Sequence, residues 1–226
     1  MEGLRAVLFD VDFTLAKPGP LLGPDGYCLG GSRHGLELVA ERYDDARAAA
    51  TDDLVHHPEL DHDEAVWIRF TEDVIRGMGG VGTGVSALAI EIVRAWEHST
   101  NFELYEDGPP VLRELRRHGL GIALVSNTSR DLARFVDTFS LDVDAWISSG
   151  SHGKVKPSPS IFLAALEMLA VEPAEAVMVG DSLLDDVEGA RSLGIRAFLL
   201  DRPARVPPGP GVLPDLYALP AALGLA

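Results

Sequence analysis

Hydrophobic positions fall into two regimes along this chain. Five short apolar runs, at 6–9, 122–125, 145–147, 176–179 and 195–200, show no alternation of polar and apolar residues. Runs without alternation suit parallel strands covered on both faces. From the second run onward, segments of helical period separate them. Val111, Leu112 and Leu115 recur at helical spacing within 111–117, and Leu132, Phe135, Val136 and Phe139 do so within 132–139. A helix over 161–169 follows the start signal Pro157-Ser158-Pro159, and one over 187–193 stops at Gly194. This alternation predicts an α/β fold, a doubly wound, mostly parallel five-stranded (Rossmann-like) sheet.

Residues 16–104 break the rhythm and contain no convincing strand. Helices are predicted instead over 36–49, over 65–78 with Val66, Phe70, Val74 and Met78 on one face, and over 87–98 with Leu88, Ile92 and Trp96. The glycine-rich run 77–84 between the last two lacks both the GxGxxG order and a preceding strand, so it reads as a helix–helix loop. The predicted organisation is an α/β core of residues 1–15 and 105–226 with a helical domain, 16–104, inserted after the first strand. The Pro- and Gly-rich stretch 202–214 reads as loop, and Leu216, Leu219 and Leu223 as a short closing helix.

Composition narrows the function classes. The chain has 226 residues, 46% of them hydrophobic, enough for a real core. Its formal net charge of -16, with no Lys/Arg cluster, argues against nucleic acid and against an anionic membrane surface as partners. Cys28 is the single cysteine, so neither an internal disulfide nor a CxxC motif can form. No apolar run approaches the ~18 residues of a membrane-spanning helix. The first strand begins almost at once, leaving no room for a signal peptide. A cytoplasmic protein is expected, monomer or homodimer.

The candidate chemistry begins at Asp10, which closes the first apolar run and stands two residues before Asp12. Burying carboxylates is costly unless something pairs with them. A divalent cation would resolve the cost, since hard cations take oxygen ligands. Polar groups recur after the other strands: Ser126-Asn127 after the second, Lys156-Pro157 beyond the third, and Gly180-Asp181-Ser182 with Asp185 and Asp186 after the fourth. Open α/β sheets bind ligands at these strand ends. Taken singly, each residue is as well explained as a turn, a helix cap or a surface lysine. The ordered series is not.

In the chain these segments read FDVDFTL, LVSNTS, GKVKPSPSIF and VGDSLLDDVEGA. Together they resemble the haloacid dehalogenase superfamily, in particular phosphatase-type members with an α-helical cap inserted after the first motif. The resemblance implies that Asp10 is the nucleophile forming an aspartyl-phosphate, and that Asp12 protonates the leaving oxygen and later activates water. It implies a Mg²⁺ ion held by the Asp10 and Asp181 carboxylates and the Asp12 backbone carbonyl. Ser126 and Asn127 would bind the phosphoryl group, and Lys156, rather than Lys154, would neutralise charge on nucleophile and phosphoryl group. Asp186, with Asp185 as the alternative at shorter spacing, would orient metal waters or Lys156 without touching the ion. True dehalogenases of the family lack an acid at the position of Asp12, because halide needs no proton. The expectation is therefore a Mg²⁺-dependent phosphatase acting on a small phosphorylated metabolite, the cap supplying specificity. A phosphomutase on the same scaffold, or a non-catalytic binding protein, are the alternatives. A phosphonate hydrolase is disfavoured, because no lysine lies between Lys17 and Lys154 to form a Schiff base. Phe13 departs from the family habit of a glycine or a small or polar residue.

Three features carry no chemistry on this reading. The patch His56 to Glu64 matches no zinc motif and reads as a polar loop with an acidic helix start. Gly150-Ser151-His152-Gly153 is not GxSxG. Trp67 and Trp96 read as packing residues of the inserted helices.

Overall fold

The computed structural model describes residues 3–55 and 61–225, so His56 to Leu60 of the polar patch lie outside the described residues. Two compact units emerge: the chain up to Lys17 together with Leu104 onward, and the insertion Pro18–Glu103.

The first unit is built on strands β1 (Ala6–Phe9), β4 (Gly121–Ser126), β5 (Ala145–Ser148), β6 (Ala176–Gly180), β7 (Arg196–Leu200) and β8 (Val212–Leu213); β2 (Ala16–Pro18) and β3 (Phe102–Leu104) pair separately as a two-stranded ribbon. The large sheet runs β5-β4-β1-β6-β7-β8, every pair parallel. It has six strands, not the five expected. The extra one, β8, is two residues long inside the Pro/Gly stretch read as loop, too short for any period to show. Backbone bonds define it: Leu199 N–H donates to Gly211 O and Asp201 N–H to Leu213 O, both at 2.8 Å.

The apolar runs form strands because both their faces are covered. Ala6 to Phe9 are all fully buried. Leu8, Val125, Ile147 and Met178 share one face with Ile161, Phe162 and Ala165 of helix α8 (Pro159–Leu169). Val7 and Phe9 point to the opposite face by strand alternation. From the central β1 the chain builds β4 and β5 on one side, then β6, β7 and β8 on the other. That reversal opens a crevice at the C-terminal end of β1. This unit also holds α5 (Gly108–Arg117), α6 (Leu132–Phe139), the single turn α7 (Ser149–His152) and the short closing helix (Leu219–Ala222). The helix expected over 187–193 instead starts at Leu183 as a wide π-type turn to Glu188, continuing as α-helix only over Gly189–Arg191.

The insertion holds α1 (Pro24–Arg33), α2 (Tyr43–Val55), α3 (Glu64–Gly77) and α4 (Gly84–Trp96). Tyr27, Tyr43, Val74, Ile75, Leu88 and Ile92 are part of its own apolar core. Asp63 caps α3, its carboxylate accepting from Ala65 N–H at 2.9 Å, as the acidic start of that helix predicts. The helix expected over 36–49 is corrected: residues 36–39 are not helical, and regular helix begins at Tyr43. Helix α1 escaped notice because Pro24, Gly26, Gly30 and Gly31 give it poor intrinsic propensity. Packing overrides that propensity. A Cβ on Gly30 would lie 2.6 Å from Leu88 Cδ1, so the bare backbone admits the neighbouring helix.

Candidate active site

The register Phe9↔Val179 continues one residue further, where Asp10 N–H donates to Val179 O at 2.9 Å. Asp10 is thus the first residue past β1, and it is buried. A tight turn follows. The amides of Thr14, Leu15 and Ala16 all point to the Val11 carbonyl, at 3.3, 2.9 and 2.9 Å. Phe13 sits in this turn at φ 65°, the left-handed region that glycine occupies without cost, which is where the chain departs from the family habit. The turn is anchored from behind by Arg202, whose guanidinium donates to Thr14 O at 2.8 Å and to both oxygens of buried Asp107 at 2.8 and 2.9 Å.

Lys156 joins two of the acids. Its Nζ donates at 2.6 Å to Asp10 Oδ1 and at 2.6 Å to Asp186 Oδ1. All three side chains are withdrawn from solvent. Burial opposes the lysine's charge, but Asp10 and Asp186 outweigh it and hold the ammonium above the ordinary lysine range. Burial also pushes Asp10 well above the usual carboxylate range; Lys156 opposes this, while Asp186 and Asp181 add to it. The lysine is aimed by its backbone. Asn127 Oδ1 accepts from Lys156 N–H at 2.7 Å and Asn127 Nδ2 donates to Lys156 O at 3.1 Å. The Asn127 side chain thus holds the Lys156 backbone from both sides, a contact the sequence did not announce.

Asp186 is the acid that reaches Lys156; Asp185 is not. Asp186 Oδ2 accepts from Ser182 N–H at 3.0 Å, and Ser182 Oγ accepts from Asp185 N–H at 3.1 Å, which locks the turn. Gly180 is required beside it, since a Cβ there would lie 2.1 Å from Asp186 Oδ2. Asp185 is half-buried, and burial pushes it up to about 6.

Asp10, Asp181 and Asp186 each offer an oxygen within 4.8 Å of the others. Asp186 lies beside the two expected metal carboxylates with both its oxygens engaged by Lys156 and Ser182, and the Asp12 side chain is not in the cluster. Asp181 is exposed, and Asp10 Oδ2 is buried with no hydrogen-bond partner. An orphaned buried carboxylate oxygen beside a second, accessible carboxylate is the donor set a hard divalent cation takes. The residues fit such an ion.

The Asp12 side chain turns to a residue the sequence gave no reason to single out. Arg130 Nη2 donates to Asp12 Oδ1 at 2.5 Å, and the Arg130 side chain is wholly buried. Ser126 is also buried, and its hydroxyl makes no hydrogen bond among the described residues, which leaves it available to a ligand. Ser151 and His152 belong to a capped turn, with Ser148 Oγ accepting from Ser151 N–H at 3.2 Å. A hollow of about 560 Å³ lies at the opposite, N-terminal end of the sheet, lined by Arg5, Arg116 and Asp144 among others. Its arginines are already paired, Arg116 with Asp142 and Asp144 and Arg5 with Glu175, so the acid and base chemistry lies elsewhere. No helix among the described residues is long and apolar enough to cross a membrane.

Comparison with known proteins gives a consistent relation. A family model described as haloacid dehalogenase-like hydrolase matches residues 4–194. Phosphoserine phosphatase of Thermus thermophilus is 37% identical over 65% of this chain, a match spanning 60% of that protein's length. N-acylneuraminate-9-phosphatase of Mus musculus is 29% identical, with 92% of this chain and 86% of that protein covered. The crystal structure of the putative HAD-hydrolase YfnB from Bacillus subtilis, bound to magnesium, superposes with a TM-score of 0.76 over 98% of this chain and 99% of that one. At 17% identity that likeness speaks to the fold alone.

Proposed function

The chain belongs to the haloacid dehalogenase-like hydrolases, and we propose that it is a Mg²⁺-dependent phosphatase of small phosphorylated metabolites, working through an aspartyl-phosphate on Asp10. The observation that carries this reading is Asp10 itself. One of its oxygens is held by Lys156 and the other is buried without a partner, at a strand end beside Asp181.

Asp10 attacks phosphorus; the Asp10 O–P bond forms and the P–O bond to the leaving alcohol breaks. Asp12 delivers its proton to that alcohol oxygen, then takes one from the water that cleaves the aspartyl-phosphate. Ser126 donates its unengaged hydroxyl to a phosphoryl oxygen. Lys156 holds Asp10 in place and offsets negative charge at the nucleophile, with Asn127 and Asp186 fixing the lysine. Asp10, Asp181 and the Asp12 backbone carbonyl would hold Mg²⁺, with Asp186 orienting Lys156 and metal-bound water. The ion supplies charge neutralisation at the phosphoryl oxygens. Asp12 supports phosphoryl transfer over dehalogenation, because a halide leaving group needs no acid. Both phosphatases named above act, by their names, on phosphate esters of a primary alcohol, so alkyl monoesters are the proposed substrate class.

Phosphate release from a panel including O-phosphoserine and N-acylneuraminate 9-phosphate, with Mg²⁺ or EDTA, tests the reading. Turnover should require the metal and fall by about 10³-fold or more in Asp10→Asn. Equal release by that variant, in a preparation free of other phosphatases, would remove Asp10 as nucleophile.

A further inference from the structure

We propose that Arg130 is a positioning residue for Asp12, fixing one carboxylate oxygen so that the other is presented to the leaving group. The inference rests on the phosphatase reading above and deepens it.

Arg130 lies in the loop that leaves β4 after its last residue, Ser126, and that begins with Asn127. Its side chain is fully excluded from solvent. A buried guanidinium is costly unless it has a charged partner, and Asp12 Oδ1 lies 2.5 Å from Nη2. The rest of the arginine is held in place. Its carbon Cζ sits 5.1 Å from the centroid of Phe135 on α6. Its own N–H donates to Thr128 Oγ1 at 3.1 Å. The Thr128 carbonyl in turn accepts from Gly150 N–H at 3.0 Å. Packing at both ends therefore fixes where the guanidinium points.

Asp12 is the less constrained partner. It is not fully buried and follows the strand in a turn. Two side-chain torsions would otherwise be free to turn its carboxylate away. With Oδ1 held by Arg130, Oδ2 makes no hydrogen bond among the described residues and is the oxygen left to carry a proton. The end of β4 and the loop that follows it then serve the reaction three times: Ser126 faces phosphate, Asn127 aims the nucleophile's lysine, and Arg130 aims the acid. A guanidinium suits this task because its donors are planar and its charge is permanent.

The readout that separates positioning of an acid from mere stability is leaving-group dependence. An alkyl alcohol is a poor leaving group and needs the proton; p-nitrophenolate is a good one and barely does. Compare kcat/KM for O-phosphoserine, or whichever alkyl phosphate the panel identifies, with that for p-nitrophenyl phosphate. General-acid assistance is worth about 10²-fold or more. Arg130→Met should lower the alkyl kcat/KM by about that factor and the aryl value by less than about fivefold, and Arg130→Lys should recover part of the loss. Asp12→Asn should show the same asymmetry. Combining Arg130→Met with Asp12→Asn should then cost nothing further on the alkyl substrate, because Arg130 acts only through Asp12. Circular dichroism confirms that each variant folds, and if the methionine variant does not, Arg130→Lys and Arg130→Gln give the same comparison. Equal losses on both substrates, or multiplying losses in the double variant, would overturn the proposal and leave the phosphatase reading intact. Full turnover by Asp10→Asn would instead fell that reading, and this proposal with it.

Discussion

The core and the insertion handle charge in opposite ways. Among the described residues, the buried acids and bases are Asp10, Asp107, Arg130, Lys156, Asp186 and Asp201, all in the core. The buried polar residues of the insertion are Thr71 and Ser99, with Tyr27 and Tyr43 in its apolar cluster. Its ion pairs, Glu72–Arg76 and Glu91 with Arg33 and His34, lie toward solvent. A helical bundle seeking only stability keeps its charges outside, because desolvating them costs more than pairing usually returns. The core accepts that cost where three strand ends meet. The difference shows which half of the molecule was shaped by chemistry and which by packing.

That contrast can be broken in several ways. The largest effect on stability should come from Lys156→Met, which leaves Asp10 and Asp186 buried without their cation. Urea unfolding at neutral pH in EDTA should show a loss of about 3–5 kcal/mol. Arg76→Met in the insertion should cost less than about 1 kcal/mol, because its guanidinium pairs with Glu72 and Asp73 at a solvent-exposed position. Similar losses for the two would erase the distinction.

Leu88→Ala tests the other side of it. Leu88 is fully buried in the insertion and fills the space that Gly30 leaves open. The expected loss is about 2–5 kcal/mol, read by denaturation, with no dependence on pH or Mg²⁺. A strong dependence on either would show that the insertion's stability is tied to the acidic site.

Metal should stabilise only through the core. At Mg²⁺ about a hundredfold above its Kd, unfolding free energy should rise by about 2.7 kcal/mol, and melting curves of Asp181→Asn should not respond. An unchanged response in that variant would place the ion elsewhere.

The smallest effect concerns Glu91. Its carboxyl lies below the ordinary value of 4.5, chiefly through the hydrogen bond from His34, with Arg33 adding to it. A depressed folded value contributes stability above the unfolded value and loses it as pH falls through the folded one. Glu91→Gln should therefore cost less than about 1 kcal/mol at pH 7, shrinking in high salt, and match the parent once the pH has fallen below the folded value. A difference that persists in acid would mean that packing, not charge, is lost.

Legibility followed the same divide. The apolar runs became β1, β4, β5, β6 and β7 because a covered strand needs few polar positions, a demand that shows in three to six residues. Asp10 and Asp181 stood out as part of an ordered series of polar groups after successive strands, and Lys156 and Asp186 through the resemblance that the series carries. Helix α1 did not stand out, since its glycines answer to Leu88 and Leu38 across the insertion rather than to their own helix. The 36–39 segment carries a helix-like apolar pattern yet stays extended, because Leu36 is buried in the insertion's core without a helix to carry it. Strand β8 depends on pairing with β7, and two residues hold no period.

Read alone, the chain determined its class, five of the strands of its core sheet, and which acids demanded explanation, because burial periodicity and misplaced charge are local properties. Only the tertiary structure decided who meets whom. It set the Asn127 amide against the Lys156 backbone, brought Asp10 and Asp186 to one lysine, and placed Arg130 against Asp12 across 118 positions of sequence. Those pairings depend on strand register and loop packing, which bring distant residues together through contacts that no stretch of the chain contains by itself.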